Sequence, residues 1–509
     1  MNLETLRPLA LPLALTAAAV LVLLADLALP PNRAGRGGLL GWLTVSLLGG
    51  VFAASFFIDT DGPAAFGAYV GNAWTTYFAR LFLAAGVLGV LGAMAHLEEQ
   101  VRRRQGEYYV LLMFSMVGML IVPGARDLLL LVVAFELMGI PLYVLAAYAK
   151  TDAPKVHRDA DAPPAPRSPA AEAAIKLYLV GATSTAITIF GLSLVVGMIG
   201  TTRLTGVIGA ETLAPITVVG LLLVLAGLSF KIGVVPFHMW VPDTYEGAPT
   251  PFVAFLSVAP KAGGVAALIV VFVIGTGGHP GPWMQAMAVL AAASMIVGNL
   301  LALPQTDVRR LLGYSGVAQM GYVLLGVVTG SIEGLSMAAF YLGAYVFSNV
   351  GAFLVLHAVA ADGGTHDLKG LAGLSRRSPW LGLSLLVFLL SLAGIPFVIG
   401  FWAKLFVFLA AYHAGLIWLV VLGATLAVVG LFYYLQVARA AYMVEPTVTS
   451  APRVGPALRA AILLCLLAVV GLGLWPALLH EPASAAGSSL SSAISTGTAP
   501  PASPEGTTP

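Results

Sequence analysis

The feature that most constrains this chain is a succession of long apolar stretches, separated by short loops that hold most of the charges. A helix needs about 20 apolar residues to cross about 30 Å of hydrocarbon, and about fourteen stretches reach that length. Of the 509 residues, 59% are hydrophobic and only 9% are charged, whereas about a quarter of a soluble protein is charged. The sequence therefore predicts an all-α polytopic membrane protein with about fourteen transmembrane helices. The expected spans are residues 8–29, 38–57, 74–95, 108–125, 127–148, 172–199, 214–242, 251–275, 282–303, 308–329, 333–360, 379–411, 415–443 and 457–479.

The first span lies at the N-terminus, where a secretory signal peptide would also lie. Its apolar run is longer than a typical signal core, and no clean A-x-A-like cleavage site follows it. We therefore interpret residues 8–29 as a membrane span, with a cleaved signal peptide as the alternative.

The composition argues against several classes of function. The single cysteine, Cys465, cannot form an internal disulfide or hold an iron–sulfur cluster by itself. The eight histidines show no metal-ligand spacing, and no nucleotide-binding glycine motif follows a strand pattern. The 25 basic residues nearly balance the 23 acidic ones and form no basic stripe. The sequence therefore predicts no nucleic-acid partner and no metal or redox cofactor in this chain.

The basic residues also predict the orientation of the chain in the membrane. Of the 25 lysines and arginines, 17 fall in odd-numbered loops, three fall on the opposite side and five fall inside spans. Positively charged loops stay on the cytoplasmic side of a membrane. We therefore expect the odd loops to be cytoplasmic and both termini to face outside.

Two of the spans are too long for one straight helix. Residues 214–242 and 379–411 would extend about 43 Å and 50 Å, and interior Pro236 and Pro396 each remove a backbone hydrogen bond. The seventh and twelfth helices are therefore expected to be broken. An offset of five spans turns the second copy upside down, as in inverted-repeat transporters. The predicted units are helices 1–3 (1–106), repeat 1 with helices 4–8 (107–275), repeat 2 with helices 9–13 (282–444), helix 14 (457–480) and a disordered tail (481–509), with a linker at 150–170.

Four ionisable side chains lie well inside predicted spans, where an ion facing lipid costs about 2.5–3.5 kcal/mol. They are therefore expected to face the protein interior, to pair with one another, or to be neutral part of the time. Burial favours a neutral lysine and a nearby carboxylate favours a charged one, so a lysine under both influences can take up and release a proton. We predict proton transfer for these residues, with ion pairs that only stabilise packing as the alternative. They are Glu136, Lys231, Lys261 and Lys404.

Two further side chains are candidates for the same role. Lys176 lies about one turn inside the sixth span, from which its amine could also reach the interface. His238 follows Lys231 by seven residues, or about 10 Å along a helix. Only a water chain could join those two, and a histidine satisfied at the helix break is the alternative. Asp243 and Glu246 are expected to lie in a solvated acidic loop.

Five passages around these residues resemble the antiporter-like membrane subunits of respiratory complex I. They are spread over roughly residues 108–445, and the long passage that holds two of the lysines is the most specific. The passages are "FELMGIPLYVLAAY", "EAAIKLYLVGATSTAI", "FKIGVVPFHMWVPDTYEGAPTPFVAFLSVAPKAG", "DVRRLLGYSGVAQMGYVLLG" and "SLAGIPFVIGFWAKLFVF".

The resemblance implies a fourteen-helix fold in which two inverted five-helix units hold a proton channel. In that channel Glu136 would modulate Lys231. Lys261 would relay protons along a hydrated axis with help from Lys176, and Lys404 would connect to the exit side.

The resemblance also implies an assembly. The chain would be one subunit of a proton-translocating NADH:quinone oxidoreductase in the cell inner membrane. Its partners would be neighbouring membrane subunits of the K and M type and a peripheral arm. NADH, FMN, iron–sulfur clusters and quinone would bind to other parts of that complex.

The chain departs from the family at two positions. The twelfth helix has Pro396 where relatives often have two prolines, and Gln319 stands where a histidine is frequent. A subunit of a Mrp-type cation/proton antiporter, which would exchange protons for sodium at the same lysines, is the alternative within the superfamily. A solute transporter that binds an anion at Lys231 is the alternative from another class.

Overall fold

The computed structural model describes residues 3–30, 35–100, 105–148, 169–204, 214–361, 365–446 and 450–491. In these ranges the chain forms nineteen α-helices and no β-strand. The helices are α1 (Ala10–Ala28), α2 (Arg36–Ala54), α3 (Ala73–Gln100), α4 (Gln105–Ile121), α5 (Leu128–Ala146), α6 (Pro169–Ile199), α7 (Pro215–Ile232), α8 (Trp240–Gly247), α9 (Thr250–Leu256), α10 (Ala259–Ile269), α11 (Pro282–Ala302), α12 (Val308–Val328), α13 (Ile332–Ala361), α14 (Leu374–Arg377), α15 (Pro379–Ala393), α16 (Ile399–His413), α17 (Ile417–Met443), α18 (Pro456–Leu474) and α19 (Ala477–Ser488).

Thirteen helical segments in the described part of the chain are long and apolar enough to cross a membrane. The shorter apolar helices α15 and α16 together supply a fourteenth crossing. The prediction of an all-α polytopic membrane protein is therefore confirmed. The segment formed by α9 and α10, together with α12 and α13, is buried on nearly every side, whereas α2, α6 and α17 expose most of their apolar surface.

The seventh span is broken, as its proline predicts. Gly233 ends α7 in the left-handed region at φ +74°, which costs glycine little because it has no Cβ. The N–H groups of Gly233 and Val234 return to the Ser229 carbonyl at 3.1 and 3.2 Å. The indole Nε1 of Trp240, at the start of α8, donates to the Phe230 carbonyl at 2.9 Å. Backbone groups released by the break are thus satisfied inside the protein.

The twelfth span is broken by the same cap. Gly394 ends α15 at φ +85°, and the N–H groups of Gly394 and Ile395 both return to the Leu390 carbonyl at 3.0 Å. Phe397, two residues before α16 begins, is held at φ +77°. The two broken helices therefore share one cap geometry. Their sequences at the break agree only in a glycine that is followed, after one or two residues, by Pro-Phe.

A third break was not predicted. The eighth span, expected as one helix over 251–275, consists of α9, α10 and a π-helical stretch at Val270–Ile274. Ser257 and Val258 separate α9 from α10, and the Ser257 hydroxyl donates to the Ala254 carbonyl at 2.9 Å. Pro260 lies in the first turn of α10. Proline has no N–H to donate, which is tolerated at the start of a helix but not in its interior. That proline was the available signal for the break.

The chain stays ordered beyond the predicted start of the disordered tail at residue 481, so that boundary is wrong. Helix α19 runs through Ser488 and packs on α3 and α13. Ala483, Ala486 and Leu490 are buried there, because small side chains let the helix approach closely. Residues 492–509 and most of the predicted linker at 150–170 lie outside the described residues.

Candidate functional site

Lys231 occupies the last turn of α7, two residues before the capping glycine, and its side chain is buried. Its Nζ donates to the Tyr143 hydroxyl of α5 at 3.1 Å. The same amine lies 4.8 Å from the ring centre of Phe135 and 5.3 Å from that of Tyr143. Both contacts place the amine over an aromatic face. The lysine therefore points into the protein and is held by α5, not by lipid.

Glu136 lies on the same helix, two turns before Tyr143, so both side chains are on one face of α5. It accepts a hydrogen bond from Thr185 of α6 at 2.6 Å. Among the described residues, no nitrogen–oxygen contact within 4.0 Å joins Glu136 to Lys231. In this conformation the carboxylate and the amine are linked through α5 and do not form a direct ion pair.

Beside Glu136 lies a small cavity of about 10 Å³ between α5, α6 and α7. Its lining includes Phe135, Glu136 and Thr185. A volume of this size is about what one water molecule needs. Its exposed walls are apolar, however, and a buried water needs about two to four polar partners, so this space is not a water site.

Two glycines make room for this arrangement. A Cβ at Gly139, one turn after Glu136, would lie 2.4 Å from the Nζ of Lys231. A Cβ at Gly181 of α6 would lie 2.2 Å from the Tyr143 hydroxyl. Real Cβ atoms do not approach so closely, so both positions need glycine for the lysine and the tyrosine to meet.

Lys261 lies in the first turn of α10, directly after the unpredicted break, and is fully buried. Among the described residues, its Nζ has no hydrogen-bond partner, and neither do the buried hydroxyls of Tyr245 and Tyr345. The amine lies 5.4 Å from the Tyr245 ring centre. A Cβ on Gly316 would lie 3.0 Å from both the amine and the Tyr345 hydroxyl. The amine and the Tyr345 hydroxyl thus both lie beside Gly316, and the ring of Tyr245 lies next to the amine.

Lys404 lies in α16 and reaches back across the second break. Its Nζ donates to the carbonyls of Leu392 and Ala393, at 3.0 and 2.9 Å, at the end of α15. Those carbonyls lose their helical partners where α15 ends, and they carry the negative end of the helix dipole. The amine is also 5.0 Å from the ring centre of Tyr322. A break in the helix therefore creates the binding position for the lysine.

Gln319 joins the same network from α12. Its Nε2 donates to the Leu392 carbonyl at 3.0 Å and to the Tyr434 hydroxyl at 3.1 Å. Its Oε1 accepts from Tyr341, and the Tyr434 hydroxyl also bonds to Ser315. Hydrogen bonds therefore run from Ser315 through Tyr434 and Gln319 to the Leu392 carbonyl. The same carbonyl accepts from Lys404.

The hydroxyl-bearing residues of these networks were not among the site residues predicted from the sequence. Their spacing could have identified them, because Ser315 lies four residues before Gln319, and Tyr341 four residues before Tyr345, in apolar helices. Such pairs share one helix face. Tyr143, seven residues after Glu136, follows the same rule.

Lys176 is paired at the end of the bundle where α6 begins. Its Nζ contacts Glu172 at 2.9 Å and Asp243 at 2.8 Å, and its side chain is 43% exposed. Arg310 of α12 contacts Asp243 at 2.9 Å and Glu246 at 2.8 Å. The expectation of a solvated acidic loop is therefore wrong, because α8 carries both carboxylates into an ion-pair network.

The charge of Asp243 is stabilised by this network. Burial favours its neutral form, but hydrogen bonds and charges from Lys176 and Arg310 outweigh that effect and hold the pKa of Asp243 below its usual value. Asp243 is therefore an anion at neutral pH that joins α6, α8 and α12.

His238 lies in the segment between α7 and α8. Its ring centre is 6.4 Å from that of Tyr314, and its Nδ1 is buried without a partner. No hydrogen bond between the described residues connects it to Lys231. The structure thus brings Lys231, Lys261 and Lys404 next to interrupted helices and leaves His238 apart from them.

A polytopic bundle with interrupted helices, and with a buried lysine at each interruption, defines the antiporter-like class of membrane proteins. Residues 125–430 match the family described as NADH:quinone oxidoreductase/Mrp antiporter, TM. Subunit N of NADH-quinone oxidoreductase from Moorella thermoacetica is 40% identical over 466 residues, covering 91% of this chain and 94% of that protein. Subunit N of NADH-quinone oxidoreductase from Desulfitobacterium hafniense is 36% identical, covering 90% of this chain and 94% of that protein.

Solved structures agree with these relatives. A chain of respiratory complex I from Thermus thermophilus with bound aureothin superposes with a TM-score of 0.77 at 32% identity, covering 92% of this chain and 98% of that one. A chain of the Mrp complex from Dietzia sp. DQ12-45-1b has a TM-score of 0.82 at 22% identity, covering 98% and 100%, which shows the shared fold alone. The chain belongs to the NADH-quinone oxidoreductase subunit N family.

Proposed function

We propose that this chain is the proton-translocating N-type subunit of a membrane-bound NADH:quinone oxidoreductase. Electron transfer from NADH to quinone takes place in other subunits, and this chain supplies a proton path across the membrane. The observation that carries the proposal is the position of Lys231, buried at a helix break and bonded to the helix that carries Glu136. The Mrp-type alternative is less supported, because the relatives at 36–40% identity are all named subunit N.

The coupling step is a change in the distance between Glu136 and Lys231. With Glu136 bonded to Thr185, the buried amine has no direct carboxylate partner among the described residues. When the carboxylate moves towards the amine, it favours the ammonium form and draws in a proton. Moving one charge against 100 mV costs about 2.3 kcal/mol. A change of about two pKa units, at 1.36 kcal/mol each, is enough for that work.

Lys261 receives the proton at the centre of the bundle. Its amine and the Tyr245 and Tyr345 hydroxyls have no protein partners, and an unpartnered buried polar group costs about 1–3 kcal/mol. Water molecules among these groups would remove that cost and would form a proton path. The hydrogen bonds of Ser315, Tyr434 and Gln319 continue the path towards Lys404.

Lys404 and the two remaining candidates act at the ends of the path. Lys404, held by two carbonyls of α15, delivers protons to the exit side. Lys176 assists uptake at the end where α6 begins, and its pairing with Asp243 controls its availability. His238 assists through water near Tyr314.

The assembly follows from the family. We place neighbouring membrane subunits of the K and M type beside this chain, with a peripheral arm that binds NADH, FMN, iron–sulfur clusters and quinone. The chain lies in the cell inner membrane with both termini outside. The two interrupted helices with one cap geometry support repeat units at 107–275 and 282–444.

The experiment replaces Lys231 by Met in the assembled complex and measures assembly, NADH oxidation and proton pumping separately. We expect an assembled complex that oxidises NADH with an artificial acceptor and pumps fewer protons per electron. Lys369→Met, at an exposed loop lysine, is the control and keeps full pumping. Intact assembly with an undiminished proton ratio in Lys231→Met would refute the assigned role.

A further inference from the structure

A second, larger cavity lies apart from the lysine axis, at the end of the bundle where α3 and α13 finish and α6, α12 and α18 begin. Its volume is about 810 Å³, within the range of ligand pockets. Basic and potentially basic side chains dominate its described polar lining. They are His96, His357, His366, Arg309 and Arg453.

The positive charge of this cavity is only partly balanced. The one carboxylate in the described lining, Glu246, is bonded to Arg310 at 2.8 Å. Arg453 is exposed and has no ion-pair partner among the described residues. Arg309 lies 3.6 Å from Asp307, and its buried Nε has no hydrogen-bond partner. An anion in the cavity would therefore meet the guanidinium group of Arg453, which has no ion pair among the described residues, and that of Arg309, which is paired only at 3.6 Å.

The histidines point to a ligand independently of the arginines. His357 is 7% exposed, lines the cavity and makes no hydrogen bond to any described residue. The buried His96 Nε2 and His366 Nδ1 also lack partners in the part of the chain that the structure describes, and the rings of His96 and His357 lie 5.5 Å apart. Buried polar groups are normally hydrogen-bonded. The three imidazoles around this cavity therefore provide ring nitrogens to which a bound ligand could hydrogen-bond.

The beginnings of two helices add to the positive surroundings. Burial, with a smaller contribution from the nearby Arg309, lowers the pKa of His366 to about 4, so its imidazole is neutral at pH 7. The first residues of α6 and the residues that open α18 also line the cavity. Free N–H groups at helix N-termini attract anions.

We propose that this cavity binds a phosphate-bearing anion, either a lipid headgroup or free phosphate, through Arg309, Arg453 and the three histidines. Arginine forks match the oxygens of phosphate, and the imidazole N–H groups would complete the contacts. The proposal is independent of the proton path, because none of these residues belongs to it.

The test measures binding to the purified, delipidated complex by titration calorimetry. The probes are dihexanoyl phosphatidylglycerol, inorganic phosphate and zwitterionic dihexanoyl phosphatidylcholine. We expect saturable binding of the anionic lipid, of phosphate, or of both. Binding of the lipid alone assigns the site to a headgroup, and binding of phosphate as well assigns it to the phosphate group itself. Arg453→Gln removes one guanidinium group and should weaken binding about tenfold. Because this side chain is exposed, the variant is expected to fold.

Two comparisons keep the result interpretable. Arg459→Gln, six residues later on the outer face of α18, is the matched control and should bind as the unmodified complex does. Arg309→Gln should weaken binding at least as much as Arg453→Gln. The proposal is overturned if neither anion binds saturably, if phosphatidylcholine binds equally well, or if Arg453→Gln leaves the affinity unchanged.

Discussion

At the scale of single residues, the three buried lysines are held in three different ways. Lys231 bonds to a tyrosine hydroxyl, Lys261 has no partner among the described residues, and Lys404 bonds to two backbone carbonyls. The three amines therefore differ in the acceptors that they meet. A proton passing from one to the next therefore meets distinct steps and not three equal sites.

Tyr143→Phe tests the contact of the first lysine. The ring and its packing remain, but the Lys231 amine loses its hydrogen-bond acceptor at 3.1 Å. We expect the complex to assemble and the proton-to-electron ratio to fall. Tyr178→Phe is the control, because that half-exposed ring only packs against Tyr143 at 5.8 Å. Equal pumping by the two variants would show that the hydroxyl is dispensable.

Gly139→Ala tests the space around the same amine. The added Cβ would lie 2.4 Å from the Lys231 Nζ, so the amine must move away from Tyr143. We expect reduced pumping with little loss of stability, because the displaced atom is the end of a flexible side chain. Gly49→Ala in α2 meets no atom within 4 Å and should have little effect. A normal proton ratio in Gly139→Ala would mean that the amine tolerates displacement.

At the scale of elements, the broken helices are built by glycine caps as much as by proline. Both α7 and α15 end at a glycine with positive φ, whose N–H and the next N–H return to one carbonyl. Proline removes a hydrogen bond, but the glycine decides where the chain turns. In α15 this cap also leaves the carbonyls of Leu392 and Ala393 available to Lys404.

Gly394→Ala tests the cap of α15. Alanine at φ +85° carries about 1–2 kcal/mol of strain, and its Cβ would also lie 2.8 Å from the Lys404 Cδ. Gly415→Ala is the matched control, because φ is +76° and no atom lies within 4 Å. We expect Gly394→Ala to be less stable than Gly415→Ala by at least about 1 kcal/mol in thermal unfolding. Equal stability losses in the two variants would assign the whole effect to backbone strain.

At the scale of the whole molecule, ion pairs join distant parts of the chain at one end of the bundle. Asp243 of α8 bonds to Lys176 of α6 and to Arg310 of α12. These partners come from the two predicted repeats, so the network crosses between them. A change in one repeat therefore changes the charge balance felt by the other.

Asp243→Asn tests this link through its pH dependence. The folded-state pKa of Asp243 lies below the unfolded value of about 3.9, so its stabilisation is present above that value and is lost as the pH falls through the folded pKa. We expect the variant to lose about 1 kcal/mol of stability at pH 7. The difference should shrink in acid, as followed by thermal unfolding from pH 7 to pH 3. A difference that stays constant with pH would assign it to packing.

The sequence by itself determined the membrane class, the number of spans, the two long broken helices and the buried positions of Lys231, Lys261 and Lys404. These follow from hydropathy, from span length and from the covalent limits of proline, all of which act over a few neighbouring residues. Only the tertiary structure decided that Lys231 meets Tyr143, that Lys404 meets the end of α15, and that Asp243 is paired. It also decided that α19 packs on α3 and α13, and that three histidines share one cavity. Such contacts join residues up to several hundred positions apart, and no local pattern encodes which helix faces will meet.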